Sequence, residues 1–213
     1  RDSSRKRLLK YTRKAFKLLP KLDKPRILDV GCGSGVPTLE LARLSNGEVV
    51  GIDIDQSLLD ELNRRIEREG GSNRVKAISG SMVELDFPDK SFDIIWVEAA
   101  IRAIGFEKGL KKWRRLLKPS GFLVIHEEIS KVANELEKTP SIGYQLMKQF
   151  LLPADAHWVD YYKPLESRIK GLKEKHKDNS EALKMLEKVQ DEIGMVKGNP
   201  SKFRSAFYIM KKI

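Results

Sequence analysis

Apolar positions recur along the chain at two alternating periods. From Ser4 to Leu19, Leu8, Thr12, Ala15, Phe16 and Leu19 fall at helical spacing with Lys and Arg on the opposite face, so the pattern predicts an amphipathic helix ended by Pro20. Residues 26–30 form a short apolar run that breaks into Gly31-Cys-Gly-Ser-Gly35, after which helical periodicity resumes over 36–45. The alternation then repeats. Residues 48–52, β-branched and ending at Asp53, predict a second strand, 56–69 a helix stopped by Gly70-Gly71, and 75–79 a third strand. Residues 92–97 predict a fourth strand, apolar almost throughout as burial on both faces requires. A helix over 106–117, a turn at Lys118-Pro-Ser-Gly121 and a fifth strand over 122–126 follow. The last third is less regular: a helix at 142–147, a strand at 149–152, two polar helices at 165–177 and 181–193, and a closing strand at 205–211.

Strands alternating with helices predict a parallel sheet in an α/β fold. The 213 residues suit one domain, divided into a basic N-terminal helix (1–25), a core (26–130) and a second half (131–213) carrying a helical insertion over 158–195. No run reaches the roughly 18–20 apolar residues of a spanning helix, and no signal-peptide pattern opens the chain. The lone cysteine, Cys32, has no partner for a disulfide and no Cys or His at metal-ligand spacing, so a cytoplasmic protein without a metal is expected. The net charge of +11 changes the picture only locally. Residues 1–26 hold eleven Lys or Arg against Asp2 and Asp23, and the remainder is nearly balanced.

The candidate chemistry begins at the glycine loop between the first strand and the following helix. Such a loop lets backbone approach a ligand and points free helix N–H groups at it. Val36 stands where a dinucleotide fingerprint wants Gly or Ala, and Asp29, two residues before Gly31, opposes a pyrophosphate. A carboxylate there suits a ligand bearing an amino group and a sulfonium. Asp53, at the end of the second strand, is placed to accept both hydroxyl hydrogens of a ribose.

Ile27-Leu-Asp-Val-Gly-Cys-Gly-Ser-Gly35 resembles the first motif of class I S-adenosylmethionine-dependent methyltransferases, and Gly51-Ile-Asp-Ile54 their second. Phe87-Pro-Asp-Lys-Ser-Phe-Asp-Ile-Ile-Trp96 and Trp113-Arg-Arg-Leu-Leu-Lys-Pro-Ser-Gly-Phe122 are similar to the family's segments leading into strands four and five. Within that family the run looks closest to the small-molecule branch typified by ubiquinone-biosynthesis methyltransferases. The resemblance implies a Rossmann-like, mostly parallel seven-stranded sheet with an antiparallel last strand and helices on both faces. It also implies S-adenosylmethionine as cofactor and a small-molecule acceptor. Carried over by position, Gly31, Cys32, Gly33 and Gly35 would underlie the methionine part, Asp29 would hold its amino end and Asp53 the ribose. Ile54 and Met82 would sandwich the adenine, with Gly80 and Ser81 beside it, Ser81 standing where relatives commonly carry aspartate.

Methyl transfer from a sulfonium is an in-line displacement whose leaving group needs no proton, so orientation and removal of the acceptor's proton are the main tasks. Glu98, just past the fourth strand, is the candidate base or cofactor contact, with a capping or ion-pair role as its alternative. Ile101, Arg102 and Glu127 sit at or beyond strand ends facing the same crevice, whereas His126 reads as a core histidine. Ala156-His-Trp-Val-Asp-Tyr-Tyr162 contributes His157, Trp158, Tyr161 and Tyr162 as candidate substrate contacts, or as packing for the two late helices.

Other functions remain in view. The basic N-terminus suits RNA phosphates, but Glu98-Ala-Ala-Ile101 lacks the Asp/Asn-Pro-Pro-aromatic sequence of amino-methylating DNA enzymes, and Cys32 is misplaced for cytosine carbon-5 chemistry. Glu98 and Glu107 share the spacing of the paired glutamates of protein arginine methyltransferases, but Glu107 reads as an acidic first-turn residue of a helix. A binding protein that keeps the pocket without activity, or a nicotinamide-dependent oxidoreductase, completes the set.

Overall fold

The computed structural model describes residues 1–70 and 73–213. Seven strands, β1 (Arg26–Val30), β2 (Glu48–Asp53), β3 (Val75–Ser79), β4 (Phe92–Glu98), β5 (Leu117–Glu128), β6 (Tyr144–Leu151) and β7 (Ser205–Lys212), form one sheet in the order β3-β2-β1-β4-β5-β7-β6. Neighbouring strands run parallel from β3 to β5, and β7 is antiparallel to both β5 and β6. The strand order reverses between β1 and β4, which opens a crevice at their C-terminal ends.

Alternate strand residues feed two cores. Ile27, Val49, Ile94, Trp96 and Val124 face α1 (Asp2–Leu18), α2 (Val36–Ser45) and α3 (Gln56–Arg68). Leu28, Val50, Ile95, Val97 and Leu123 face α4 (Phe106–Arg114), α5 (Ile129–Val132) and α6 (Thr139–Ile142) on the other side. A satellite cluster of Tyr161, Leu165, Ile169 and Ile193 joins a π-helical turn, His157–Tyr162, to α7 (Lys163–Lys175) and α8 (Ser180–Gly198), and Leu8 of α1 packs against it. Among the described residues no helix is long and apolar enough to cross a membrane.

Four sequence expectations need correction. The helix expected over 142–147 is instead the end of α6, which stops at Ile142, followed by β6 from Tyr144. The turn at 118–121 lies inside β5 as a bulge, where the register with β4 jumps from Phe92↔Leu117 to Ile94↔Phe122 and Ser120 adopts a φ of 59°. The helix expected to reach 117 stops at Arg114, because Leu117 already pairs with β4. Helix α3 ends at Arg68; of its expected Gly70-Gly71 stop, Gly71 lies outside the described residues.

Candidate functional site

The crevice holds a cavity of about 280 Å³ whose walls come from the glycine loop, the ends of β1, β2, β4 and β5, α1, the π-helical turn and the start of β7. Its floor is the loop after β1. Gly31 has a φ of +72°, and a Cβ there would stand 2.5 Å from that of Ala100, so only hydrogen fits between the loop and the segment after β4. The N–H groups of Gly31 and Cys32 both donate to the carbonyl of Ile52, at 2.8 and 3.0 Å, which ties the loop to the end of β2. Pro37 opens α2, where its missing N–H leaves no donor unpaired.

Two carboxylates flank this floor. Asp29 is buried, and its Oδ2 accepts from the Thr38 hydroxyl at 2.6 Å. Burial pushes its carboxyl up to about 7, the Thr38 bond opposing and the Glu98 and Asp53 charges adding to the rise. Asp53 accepts from the N–H of Gly33 at 2.8 Å and of Asp55 at 3.0 Å, and Asp55 caps α3 by accepting from Ser57 and Leu58. Its carboxylate is thereby fixed at the strand end. Cys32 is buried, its thiol pushed up by burial and donating weakly to the Gly33 carbonyl at 3.6 Å, so it is no nucleophile.

Glu98 meets α1. Its Oε1 accepts from Thr12 Oγ1 and Trp96 Nε1, both at 2.8 Å, and burial raises its carboxyl while these two bonds hold it down. On the far wall, Ser205 Oγ lies 2.8 Å from Nε2 of both His126 and His157. His126 stacks on Phe207 with ring centroids 4.5 Å apart. Burial drives His126 down to about 3, the nearby His157 adding to the fall, and lowers His157 as well. Both rings are therefore neutral at physiological pH, and His126 both packs the core and lines the cavity. Glu127, 2% exposed, also lines it, with Arg102, Tyr161 and Tyr162.

Most of the expected residues converge on this cavity, but not all. Gly35, at the N-cap of α2, and Ile54, 78% exposed, are not among its lining residues. Neither are Gly80, Ser81 and Met82, which follow β3: Gly80 N–H bonds the Asp53 carbonyl, Ser81 Oγ accepts from the Val83 N–H, and the Met82 carbonyl accepts from Trp113 Nε1. Two of the candidate substrate contacts are also absent from its lining: Ile101, 1% exposed, is packed into the core at the start of a 3-10 turn, and Trp158 packs in the α7–α8 cluster with Lys197 over its ring. Sequence reasoning missed Arg5, Leu9, Thr12, Glu192, Phe203 and Ser205. The helical period of α1 was the one signal available for its members.

Comparisons with known proteins agree with this geometry. Residues 27–121 match a family model described as a methyltransferase domain. A sterol 24-C-methyltransferase of Aspergillus fumigatus is 35% identical over 103 residues, covering 48% of this chain and 27% of that enzyme. The chain thus spans about a quarter of the length of that relative. Among solved structures, a methyltransferase of Geobacter sulfurreducens in complex with S-adenosylhomocysteine superposes with a TM-score of 0.78 at 19% identity, over 97% of this chain and 90% of that one. The [4+2]-cyclase SpnF does so with 0.79 at 19% identity, over 97% and 80%. The fold is that of class I methyltransferases.

Proposed function

We propose that this chain, whose residues 27–121 form a class I methyltransferase domain, transfers a methyl group from S-adenosylmethionine to a nitrogen, oxygen or carbon of a small-molecule acceptor. One observation carries the reading: a single cavity joins the Asp29–glycine-loop–Asp53 end to a second end walled by Glu127, His157, Tyr161 and Tyr162. The first end fits the cofactor. The buried Asp29 carboxyl, costly when charged and alone, gains a counter-ion from an ammonium, and the close approach of Gly31 to Ala100 leaves the loop backbone bare for the methionine part. Asp53 offers two oxygens to a ribose. Beyond the cavity, exposed Ile54 and the Met82 side chain, whose Cε reaches toward Gly31, would bracket the adenine, with Gly80 and Ser81 beside it.

When bound, the cofactor supplies a methyl group on a cationic sulfur that departs without protonation. This chain's residues do the rest. Residues 1–25 cover the crevice, 26–130 hold the cofactor, and 131–213 carry most of the acceptor wall. Glu98, fixed by Thr12 and Trp96, is a positioning group between the two ends. The sterol methyltransferase likeness supports a small-molecule acceptor, although it spans only the cofactor half. The single cysteine suits a cytoplasmic setting.

Calorimetric titration with S-adenosylhomocysteine, NAD and a short RNA tests the assignment. Binding of S-adenosylhomocysteine alone is expected; NAD or RNA binding in its place would refute it. Asp53→Ala should weaken that binding by about 1–3 kcal/mol, the size of a lost hydrogen bond to a charged group. Because the same fold also serves a [4+2]-cyclase, formation of S-adenosylhomocysteine during turnover is the measure of transfer.

A further inference from the structure

The carboxylates on the acceptor side of the cavity are engaged, with one exception. Glu98 accepts from Thr12 and Trp96, Glu128 lies 3.5 Å from Arg102 Nη1, and Glu192 accepts from Arg1 and Tyr162. Glu127 is 2% exposed; its Oε1 accepts the N–H of Glu128 at 3.0 Å, but its Oε2 is buried with no hydrogen-bond partner. A buried carboxylate oxygen without a donor costs stability. Among the described residues it is the one fully buried side-chain acceptor on this cavity's wall that lacks a partner.

The surroundings select the donor. The Ser205 hydroxyl lies within hydrogen-bond distance of both imidazoles and can donate to one while accepting from the other, and burial keeps both rings neutral. Arg102 pairs with Glu128, and its charge and backbone N–H also act on Glu127, but burial outweighs both and raises the Glu127 carboxyl. Oε2 itself has no donor, and the charge on Glu127 is compensated only in part. An alcohol would satisfy Oε2 and add no charge, and a carboxylate would be repelled; an ammonium supplies both hydrogen and charge.

We propose that the acceptor is a primary or secondary amine, bound as its ammonium with an N–H donated to Glu127 Oε2. This rests on the methyl-transfer reading and narrows it to nitrogen. An N–H bond of the ammonium breaks and its proton passes to the Glu127 carboxylate. The freed nitrogen lone pair forms the C–N bond to the methyl carbon as the carbon–sulfur bond breaks, its electron pair staying on sulfur. The products are the N-methylammonium and S-adenosylhomocysteine, and Glu127 returns its one proton to water when they leave.

The test gives the full chain labelled S-adenosylmethionine and three matched probes, benzylamine, benzyl alcohol and benzoate, with butylamine, butanol and butyrate as an aliphatic set. S-adenosylhomocysteine and an N-methyl product are expected with the amines alone. Glu127→Gln should lower amine turnover about 100-fold, the lower range for loss of a general base, with S-adenosylhomocysteine affinity within about twofold of wild type and Glu127→Asp restoring part of the rate. Independently of any variant, benzylamine should raise the melting temperature of the S-adenosylhomocysteine complex and benzyl alcohol should not. Equal transfer to the alcohols or carboxylates, no transfer to any amine, or full activity in Glu127→Gln overturns the proposal. If wild type binds S-adenosylhomocysteine, such a result rejects the amine alone; if it does not, the methyl-transfer reading itself has failed.

Discussion

Asp29 is where burial and ligand chemistry meet in a single side chain. Its carboxyl, pushed up to about 7 chiefly by burial, is partly protonated in the free protein at neutral pH. The folded value lies above the unfolded one, so its contribution to stability is whole below pH about 4 and is lost as pH rises through about 7. Asn at this position has no charge to bury. Wild type should thus lose stability relative to Asp29→Asn between pH 5 and 8, by a few kcal/mol, because each tenfold difference in proton affinity between the folded and unfolded chain is worth about 1.4 kcal/mol. Urea unfolding of both proteins at the two ends of that range measures it, and a constant difference would mean that Asp29 stays ionised throughout. The raised proton affinity also predicts a proton count. An ammonium beside Asp29 favours its ionised form, so binding of S-adenosylhomocysteine near pH 7 should release a fraction of a proton, read as a dependence of calorimetric heat on the buffer's ionisation enthalpy. Asp29→Asn should abolish that release.

At the scale of elements, the glycine loop and α2 are locked to α3. Gly35 caps α2 at a φ of +78°, and a Cβ there would overlap Leu62 of α3. Gly35→Ala should therefore cost about 1–3 kcal/mol for the backbone alone, with the overlap added; Leu62→Ala, at a fully buried position, should cost about 2–5 kcal/mol by itself, and the double variant should lose less than the sum by the steric part of the Gly35→Ala cost. Thermal unfolding of both single variants and the double variant separates the two parts. The elements around this loop were legible because strand and helix periods switch cleanly at Gly31, Asp53 and Asp55. Strand β6 was not. A bulge between Leu146 and Lys148 turns the strand over, so that Tyr144 and Leu146 pack on one core and Phe150 on the other. The period-2 signal is thereby erased, while Ile142 and Leu146 keep a helical spacing. The π-helical turn is hidden in part: His157 and Tyr161 keep an α-helical spacing of four, but Tyr162, five residues from His157, reaches the cavity through the wider pitch. Arg5, Thr12 and Ser205 belong to no local motif and reach the site only through tertiary packing.

Over the whole molecule, part of the positive charge at the N-terminus is paired between α1 and acidic groups on both sides of the crevice. Arg1 pairs with Glu192, Lys10 with Asp160 and Arg13 with Glu40, while Asp2 returns the contact to Arg65 at 2.5 Å and to Ser34 at 2.8 Å. These contacts reach both the α2–α3 side and the α7–α8 side, so α1 spans the crevice from wall to wall. Its buried apolar anchors are few, Leu9 and Ala15. Most of the ion pairs are half exposed on the basic partner, where each is worth about 0–1 kcal/mol and is screened by salt. The cover should consequently be the least stable part of the fold, opening without the sheet. Raising ionic strength from about 0.05 to about 0.5 M, which shortens the screening length from about 14 to about 4 Å, should weaken these half-exposed pairs, speed amide hydrogen exchange in α1 and leave β4 and β5 unchanged. Saturating S-adenosylhomocysteine should slow exchange in α1 again, since a ligand held beneath a closed cover favours the closed state by mass action. Exchange in α1 that ignores salt would assign the closure to Leu9 and Ala15, and exchange that rises together in α1 and the sheet would mean that the cover has no motion of its own.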